Sequence, residues 1–259
     1  MSTPSSKQFL GIIPARYGSS RLEGKPLLDI VGKTMIRRVY ERCSEVFENL
    51  YVATDDERIA AEVLAFGGKF VMTAVEHANG TSRCLEAAEK VFQLEGVSYD
   101  AIINIQGDEP LVDPAQLKDI VRCFQDDQTE MATLVIPVTD PIDLENESEV
   151  FVTLDKNYNA LYFSRSVIPF VRGVARKDWL SHARIYKHLG LYGYTLQALR
   201  DFADLPVSFL EKTESLEQNR WMEEGRKIKV GITQHDSIPV DTAEDLERVR
   251  KIVAEKEKA

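Results

Sequence analysis

The sequence predicts an α/β fold built on a doubly wound, mostly parallel sheet. Three observations predict it. Phe9–Ile13, Leu50–Ala53 and Ala101–Ile105 are short apolar runs without strict alternation, as buried parallel strands are. Segments of helical period separate them. The order is strand, loop, helix, then strand and helix twice, then strand.

Residues 1–8 are polar and expected to fray. Phe9–Ile13 opens the sheet, and Pro14 is expected to stop it. A loop rich in Gly, Ser, Arg and Lys runs to Pro26. From Thr34, the residues Met35, Ile36, Val39, Tyr40 and Cys43 share one helical face. Leu50–Ala53 is the second strand. Asp55 or Asp56 can then cap a helix that stops at Gly67-Gly68. Phe70–Met72 is a third strand. A helix over 82–94 follows a Gly80-Thr81 turn, and Ala101–Ile105 is the fourth strand. Asp113, before Pro114, reads as a turn residue.

The second half is less regular. Met131–Val138, Val150–Leu154, Ala160–Phe163, Gly190–Thr195 and Lys229–Ile232 are strand-like. Residues 170–186 are basic and aromatic without a period, which marks loop or insertion. Residues 214–224 and 242–257 are helical. Asp241-Thr242 caps the last helix, with Asp245 at the position of a capping-box acid. The chain of 259 residues suits one large domain, or one domain with an insertion.

The net charge of −10 opposes non-specific binding of a nucleic-acid backbone, so no nucleic-acid partner is expected. A local cluster of cations can still hold an anionic substrate. Cys43, Cys84 and Cys123 are odd in number and widely spaced, which points to free thiols in a reducing, cytoplasmic compartment. Phe9–Pro14 is too short for a signal peptide or a membrane span.

Four groups of residues can carry chemistry. Arg16, Ser19, Ser20, Arg21, Gly24 and Lys25 put three cations into ten residues just beyond a strand. Small residues there let backbone N–H groups approach an anion, and a polyphosphate is the natural guest. The spacing is neither a Walker loop nor a dinucleotide fingerprint, and an ordinary basic surface loop is the alternative. Asp108 ends an all-apolar strand after Gly107, where it can hold Mg²⁺ against phosphate oxygens or serve as a cap or turn former. Asp241 precedes the last helix and is a helix cap, a metal ligand or both. The fourth group is Ser164, Arg165, His188, Tyr192, Glu214 and Gln218. Glu214 and Gln218 are placed on one helix face by their i,i+4 spacing. His188 has no zinc spacing, and a satisfied structural histidine is its alternative.

These motifs together are specific. IIPARYGSSRLEGKPL resembles the nucleotide loop of the 3-deoxy-manno-octulosonate (Kdo) cytidylyltransferases, or CMP-Kdo synthetases. VATDDERI, GTSR, NIQGDEP, ALYFSRSVIP, HLGLYGY, LEQNRW and PVDTAEDLERV follow in that family's order, over about residues 9–253. The resemblance implies a Rossmann-like three-layer sandwich with a smaller mixed-sheet insertion, of the nucleotide-diphospho-sugar transferase type. It implies one domain over 9–253, with a mainly nucleotide-binding half (9–130), a mainly sugar-binding and dimerisation half (131–253), and flexible termini at 1–8 and 254–259.

By the same resemblance, Arg16, Ser19, Arg21 and Lys25 grip the triphosphate, and Arg83 and Gln106 lie near the nucleotide. Asp108 and Asp241 hold Mg²⁺. Arg165, His188, Tyr192, Glu214 and Gln218 line the sugar-acid pocket. Lys25, Arg21, Asp108 and Asp241 form the catalytic set. The implied reaction moves CMP from CTP to the anomeric 2-hydroxyl of Kdo, for lipopolysaccharide synthesis, in a homodimer. The rivals are a transferase for another sugar or base, and a non-catalytic nucleotide-binding module; the module would be expected to lack Lys25, Asp108 or Asp241. Three positions depart from the family pattern: Glu23 in place of a proline, Ser82 in place of a glutamate, and Ser237-Ile238-Pro239 in place of a glycine-containing turn.

Overall fold

The apolar runs of the N-terminal half become strands that lie side by side and point one way. The computed structural model describes residues 7–18, 22–77 and 79–258. In chain order its first elements are β1 (Phe9–Ala15), β2 (Asp29–Ile30), β3 (Lys33–Thr34), α1 (Met35–Ser44), β4 (Asn49–Thr54) and α2 (Glu57–Ala65). Then come β5 (Phe70–Met72), α3 (Gly80–Glu95), β6 (Ala101–Asn104) and α4 (Pro114–Cys123). The chain divides into two compact units, one reaching Lys118 and resuming at Ser237, the other covering Asp119–Asp236. The expected division into halves lay at 130/131.

In the first unit the strand order is β6-β1-β4-β5, all parallel. Ile12, Ile13, Val52 and Ile103 are fully buried, which is why their runs do not alternate. The chain winds outward from β1 to β4 and β5, then returns to place β6 on the other side of β1. With right-handed crossovers, that reversal puts α3 on the face opposite α1 and α2. Thr34 caps α1 and Asp56 caps α2 through their side chains. β2 and β3 form a separate two-stranded hairpin.

Two expectations here are corrected. Pro14 does not end the first strand, which continues to Ala15 in register with Thr54. The Ile105 N–H to the Ile12 carbonyl, at 2.8 Å, is the last rung toward β6. Pro14 lies past it, so its missing donor breaks no ladder. The helix expected over 82–94 starts at Gly80, because Asn79 caps it by accepting from the Ser82 N–H at 2.9 Å. Ser82, one of the three departures, thus completes this helix start.

The second unit holds β7 (Met131–Pro137), β8 (Phe151–Leu154), β9 (Ala160–Ser164), β10 (Tyr186–Tyr194), α5 (Leu196–Asp204), α6 (Phe209–Glu214), α7 (Gln218–Glu223) and β11 (Lys229–Ile232). β7 is flanked by β11, parallel, and β10, antiparallel. β10 also pairs with β8, and β8 with β9, all antiparallel. The register of β10 on β7 shifts between Leu189 and Tyr192. The basic, aromatic stretch after residue 170 contains a 3₁₀ turn at Arg176–Ser181 and then the start of β10. The helix expected over 214–224 is instead two, broken where Ser215 takes a left-handed conformation, φ 53°. Glu214 and Gln218 therefore end one helix and begin the next, and share no helix face.

After the second unit the chain returns to the first as α8 (Ala243–Lys256). Thr242 and Asp245 close the expected capping box. Val249 and Val253 of α8 are buried with Ile30 and Met35, and partly buried Ile238 packs on them. That apolar seat, with the Val240 N–H bonded to the Asp108 carbonyl at 3.0 Å, fixes the 237–239 turn without a glycine.

Candidate active site

The crevice opens where the winding reverses, beyond the carboxyl ends of β1 and β6. In open α/β sheets this is where ligands bind. Pro14, Ala15 and Arg16 leave β1 on one side, and Gln106, Gly107 and Asp108 leave β6 on the other, around a cavity of about 280 Å³. A Cβ at Gly107 would lie 2.7 Å from the Pro14 carbonyl oxygen, so only glycine lets the two strand ends close up.

Lys25 reaches into this crevice from the loop after β1. Its Nζ is 2.6 Å from Asp108 Oδ2 and 3.2 Å from Asp241 Oδ1. The structure so brings together three of the residues expected to act on phosphate. Asp241 is not the cap of α8; Thr242 is. Its carboxylate instead faces a cation that Asp108 shares. No third His, Cys, Asp or Glu joins the pair as a metal cluster among the described residues. Two carboxylates already sharing a cation, open to a cavity, fit Mg²⁺ whose other ligands are phosphate oxygens and water.

The loop itself is pinned from outside. Gly24 takes φ +63°, and a Cβ there would sit 3.0 Å from the Tyr17 ring. The Arg58 guanidinium lies 3.2 Å from the centre of that ring and makes a twin bond to Asp56, at 3.0 and 2.6 Å. Asp56 first, and Tyr17 and Glu23 less strongly, raise the Arg58 pKa. The Glu23 departure is thereby answered by a cation on α2. Arg16 is exposed and lines the crevice, as does Gln106. Arg83 lines it too, yet is 3% exposed and bonded to Thr73 at 2.6 Å and Asp55 at 2.7 Å, so it braces the wall. Ser19 and Arg21 lie outside the described residues.

The residues expected to hold the sugar acid fall in the second unit, in two groups. In one, Glu214 accepts from the Ser164 hydroxyl at 2.8 Å, the Tyr162 hydroxyl at 3.2 Å and the Arg165 N–H at 3.0 Å. Burial raises its pKa, but those donors and the Arg165 charge outweigh it and the net shift is downward. In the other, His188 sits between the rings of Phe163 and Tyr192, at 5.2 and 5.3 Å. Its Nε2 is 2.9 Å from the Thr133 hydroxyl, which is 2.9 Å from the Leu191 carbonyl. A hydroxyl donating to that carbonyl accepts from His188, so Nε2 carries the proton. Desolvation lowers the His188 pKa to about 3 and raises that of Tyr192. Gln218 is 4% exposed, and its Nε2 has no partner among the described residues.

Sequence reasoning missed several of these partners. Thr133 gave no signal inside an apolar strand. Arg58 and Tyr17 join a helix to a loop that the sequence does not connect. His77 lines the crevice and engages Glu86, nine positions on, a spacing that belongs to no motif. Cys43, Cys84 and Cys123 are free and buried, as expected of structural thiols, and burial raises all three pKa values, Cys123 to about 11.

Comparison with known proteins agrees with this geometry. The profile of the cytidylyltransferase family matches residues 10–228. A 3-deoxy-manno-octulosonate cytidylyltransferase of Bacteroides thetaiotaomicron is 51% identical over 249 residues, which are 95% of this chain and 98% of that one. An 8-amino-3,8-dideoxy-manno-octulosonate cytidylyltransferase of a Shewanella species is 47% identical, over 94% of this chain and 97% of that one. A solved CMP:2-keto-3-deoxy-manno-octonic acid synthetase complexed with CTP superposes with a TM-score of 0.87 at 41% identity, covering 96% of this chain and all of that one. A Leptospira borgpetersenii cytidylyltransferase shares the fold at TM-score 0.60 and 18% identity, over 96% of this chain and 88% of that one.

Proposed function

The chain belongs to the family of 3-deoxy-manno-octulosonate cytidylyltransferases, and from that membership we propose which of its residues carry the reaction. The enzyme transfers CMP from CTP to Kdo, giving CMP-Kdo and pyrophosphate. The sugar's anomeric 2-hydroxyl attacks the α-phosphorus, the bond to the bridging oxygen of the β-phosphate breaks to release pyrophosphate, and the hydroxyl proton passes to solvent water. The difficulty is electrostatic, since an anionic sugar meets a highly anionic triphosphate.

The observation that carries the assignment is the Lys25 ammonium held between Asp108 and Asp241 at the ligand edge of the sheet. Lys25 and Arg16 bind and neutralise the triphosphate, and Lys25 stabilises charge on the departing pyrophosphate. Arg21 has the same part by its place in the motif. Mg²⁺ on Asp108 and Asp241 would screen phosphate charge and make the attacking hydroxyl more acidic. Gln106 orients the nucleotide, and Arg83 keeps the wall of its site in place.

Arg165, His188, Tyr192, Glu214 and Gln218 hold the sugar acid. The orphaned Gln218 amide supports this, because a buried donor without a partner is costly unless a ligand meets it. Glu214 fixes the Arg165 backbone beside it. His188, with its proton on Nε2 and a pKa near 3, offers an acceptor that aligns a hydroxyl and is too weak a base to take its proton.

The product serves lipopolysaccharide synthesis, the enzyme works in the cytoplasm, and it acts as a homodimer. The buried free thiols support the reducing compartment. No helix among the described residues is long and apolar enough to cross a membrane. Leu161, Phe170 and Phe209, each more than half exposed, are apolar surface that a second copy would cover. Sedimentation at micromolar concentration should give the mass of a dimer; a monomer would contradict this. Pyrophosphate release with four nucleoside triphosphates against Kdo, 8-amino-Kdo and sialic acid tests the reaction. CTP with Kdo should turn over fastest, and equal turnover with UTP, or faster turnover with sialic acid, would contradict it.

A further inference from the structure

Lys25, Asp108 and Asp241 meet at one end of the crevice, with Arg16 just beyond β1, whereas His77 and Asn79, with Arg83 already paired to Asp55, line it where α3 begins. A triphosphate belongs with the cations, so the base of the same nucleotide points toward the other end. There the Asn79 side chain already caps α3. His77 is the one aromatic ring among the described residues that line the cavity, with a side chain 17% exposed.

One nitrogen of the ring is fixed in its role. His77 Nε2 is hydrogen-bonded to Glu86 on α3. Glu86 is fixed in turn by the Ala74 N–H at 2.9 Å and by Lys90 at 2.7 Å. Burial raises the Glu86 pKa, but Lys90, Ala74 and His77 outweigh it and bring it down to about 2. An ionised carboxylate only accepts, so Nε2 must donate. A neutral imidazole with its proton on Nε2 presents Nδ1 as an acceptor.

Resting on the assignment of this crevice to CTP, we propose that His77, oriented by Glu86, reads the base: its Nδ1 accepts a hydrogen bond from the 4-amino group of cytosine. Uracil carries an oxo group at that position. Acceptor then faces acceptor, and no bond forms. His77 is thus a specificity residue, and Glu86 is the positioning residue behind it.

The test is kcat/KM for CTP and for UTP at saturating Kdo, in the wild type, His77→Ala and His77→Phe. The phenylalanine keeps the ring volume and removes Nδ1, so a folded variant remains should the alanine variant unfold. Both variants should lose about tenfold or more with CTP, the size expected for a buried donor left unpaired, with UTP changed by no more than about twofold. The CTP/UTP ratio therefore collapses. An equal fall with both nucleotides, or an unchanged ratio, overturns the proposal, because a brace or a ribose contact affects both bases alike. Glu86→Gln frees the ring to choose its tautomer, and the same ratio should fall; an unchanged ratio overturns the positioning role. A wild type that does not distinguish CTP from UTP would instead refute the assignment of the reaction itself.

Discussion

At the scale of single residues, the proposed mechanism turns on Lys25. It is 13% exposed and pairs with both carboxylates, so its charge sits where phosphate charge must be held. Lys25→Ala should keep the fold and lose about 10²-fold or more in kcat, by analogy with a lost oxyanion donor. A steady-state assay giving near-normal kcat would remove Lys25 from the mechanism. Lys25, Asp108 and Asp241 were legible in the sequence because each lies beside a strand or helix end, and such ends gather at one edge of a doubly wound sheet. His77 and Thr133 were not legible. Each matters through one partner on another element, and neither pairing has a sequence period.

The elements around the crevice explain how Tyr17 and Gly24 are held with Glu23 in place of a proline. Tyr17 closes over Gly24, and Arg58 of α2 lies on Tyr17. An exposed cation–π contact contributes about 0.5–1 kcal/mol, so Arg58→Ala should raise KM for CTP about two- to fivefold with kcat little changed. A fall in kcat with KM unchanged would give Arg58 a different role. The α6–α7 break makes a second forecast. Ser215 is left-handed, and glycine adopts that conformation without the Cβ penalty. Ser215→Gly should raise stability by about 1 kcal/mol and Tm by about 2–4 °C, read by calorimetry; a lower Tm would show the serine side chain to be needed there. The long strands of the first unit were legible from their unbroken apolar runs. α4 and α5 were missed because they are short and amphipathic, though Asp113-Pro114 and Thr195, each ahead of spaced apolar residues, mark their starts. The break at Ser215 was missed because residues 214–224 keep a helical composition across it.

Acid stability is a property of the whole chain, and His188 and Glu86 are two of the groups that set its direction. The unfolded imidazole of His188 takes a proton near 6.5, whereas the folded one resists until about 3. Its contribution is present above 6.5 and is lost as pH falls from there toward 3. Glu86, lowered from 4.5 to about 2, contributes above 4.5 and is lost as pH falls through that lower window. Tm should therefore decline in two stages as pH is lowered, and His188→Gln should flatten the upper one; an unchanged slope between pH 6.5 and 4 would show that His188 is readily protonated in the fold. The fold's larger consequence is closure over sequence distance. Lys25 and Asp241 are 216 positions apart and meet at one sheet edge. That a single Mg²⁺ site for CTP lies there is the central claim, and kcat of Asp241→Asn across a Mg²⁺ titration tests it most directly. Asparagine keeps the side-chain shape and leaves the Thr242 cap in place, so the fold should persist. Activity should fall by about 10²-fold or more, with a raised Mg²⁺ requirement. Near-wild-type kcat with an unchanged Mg²⁺ requirement would show that Asp241 holds no metal.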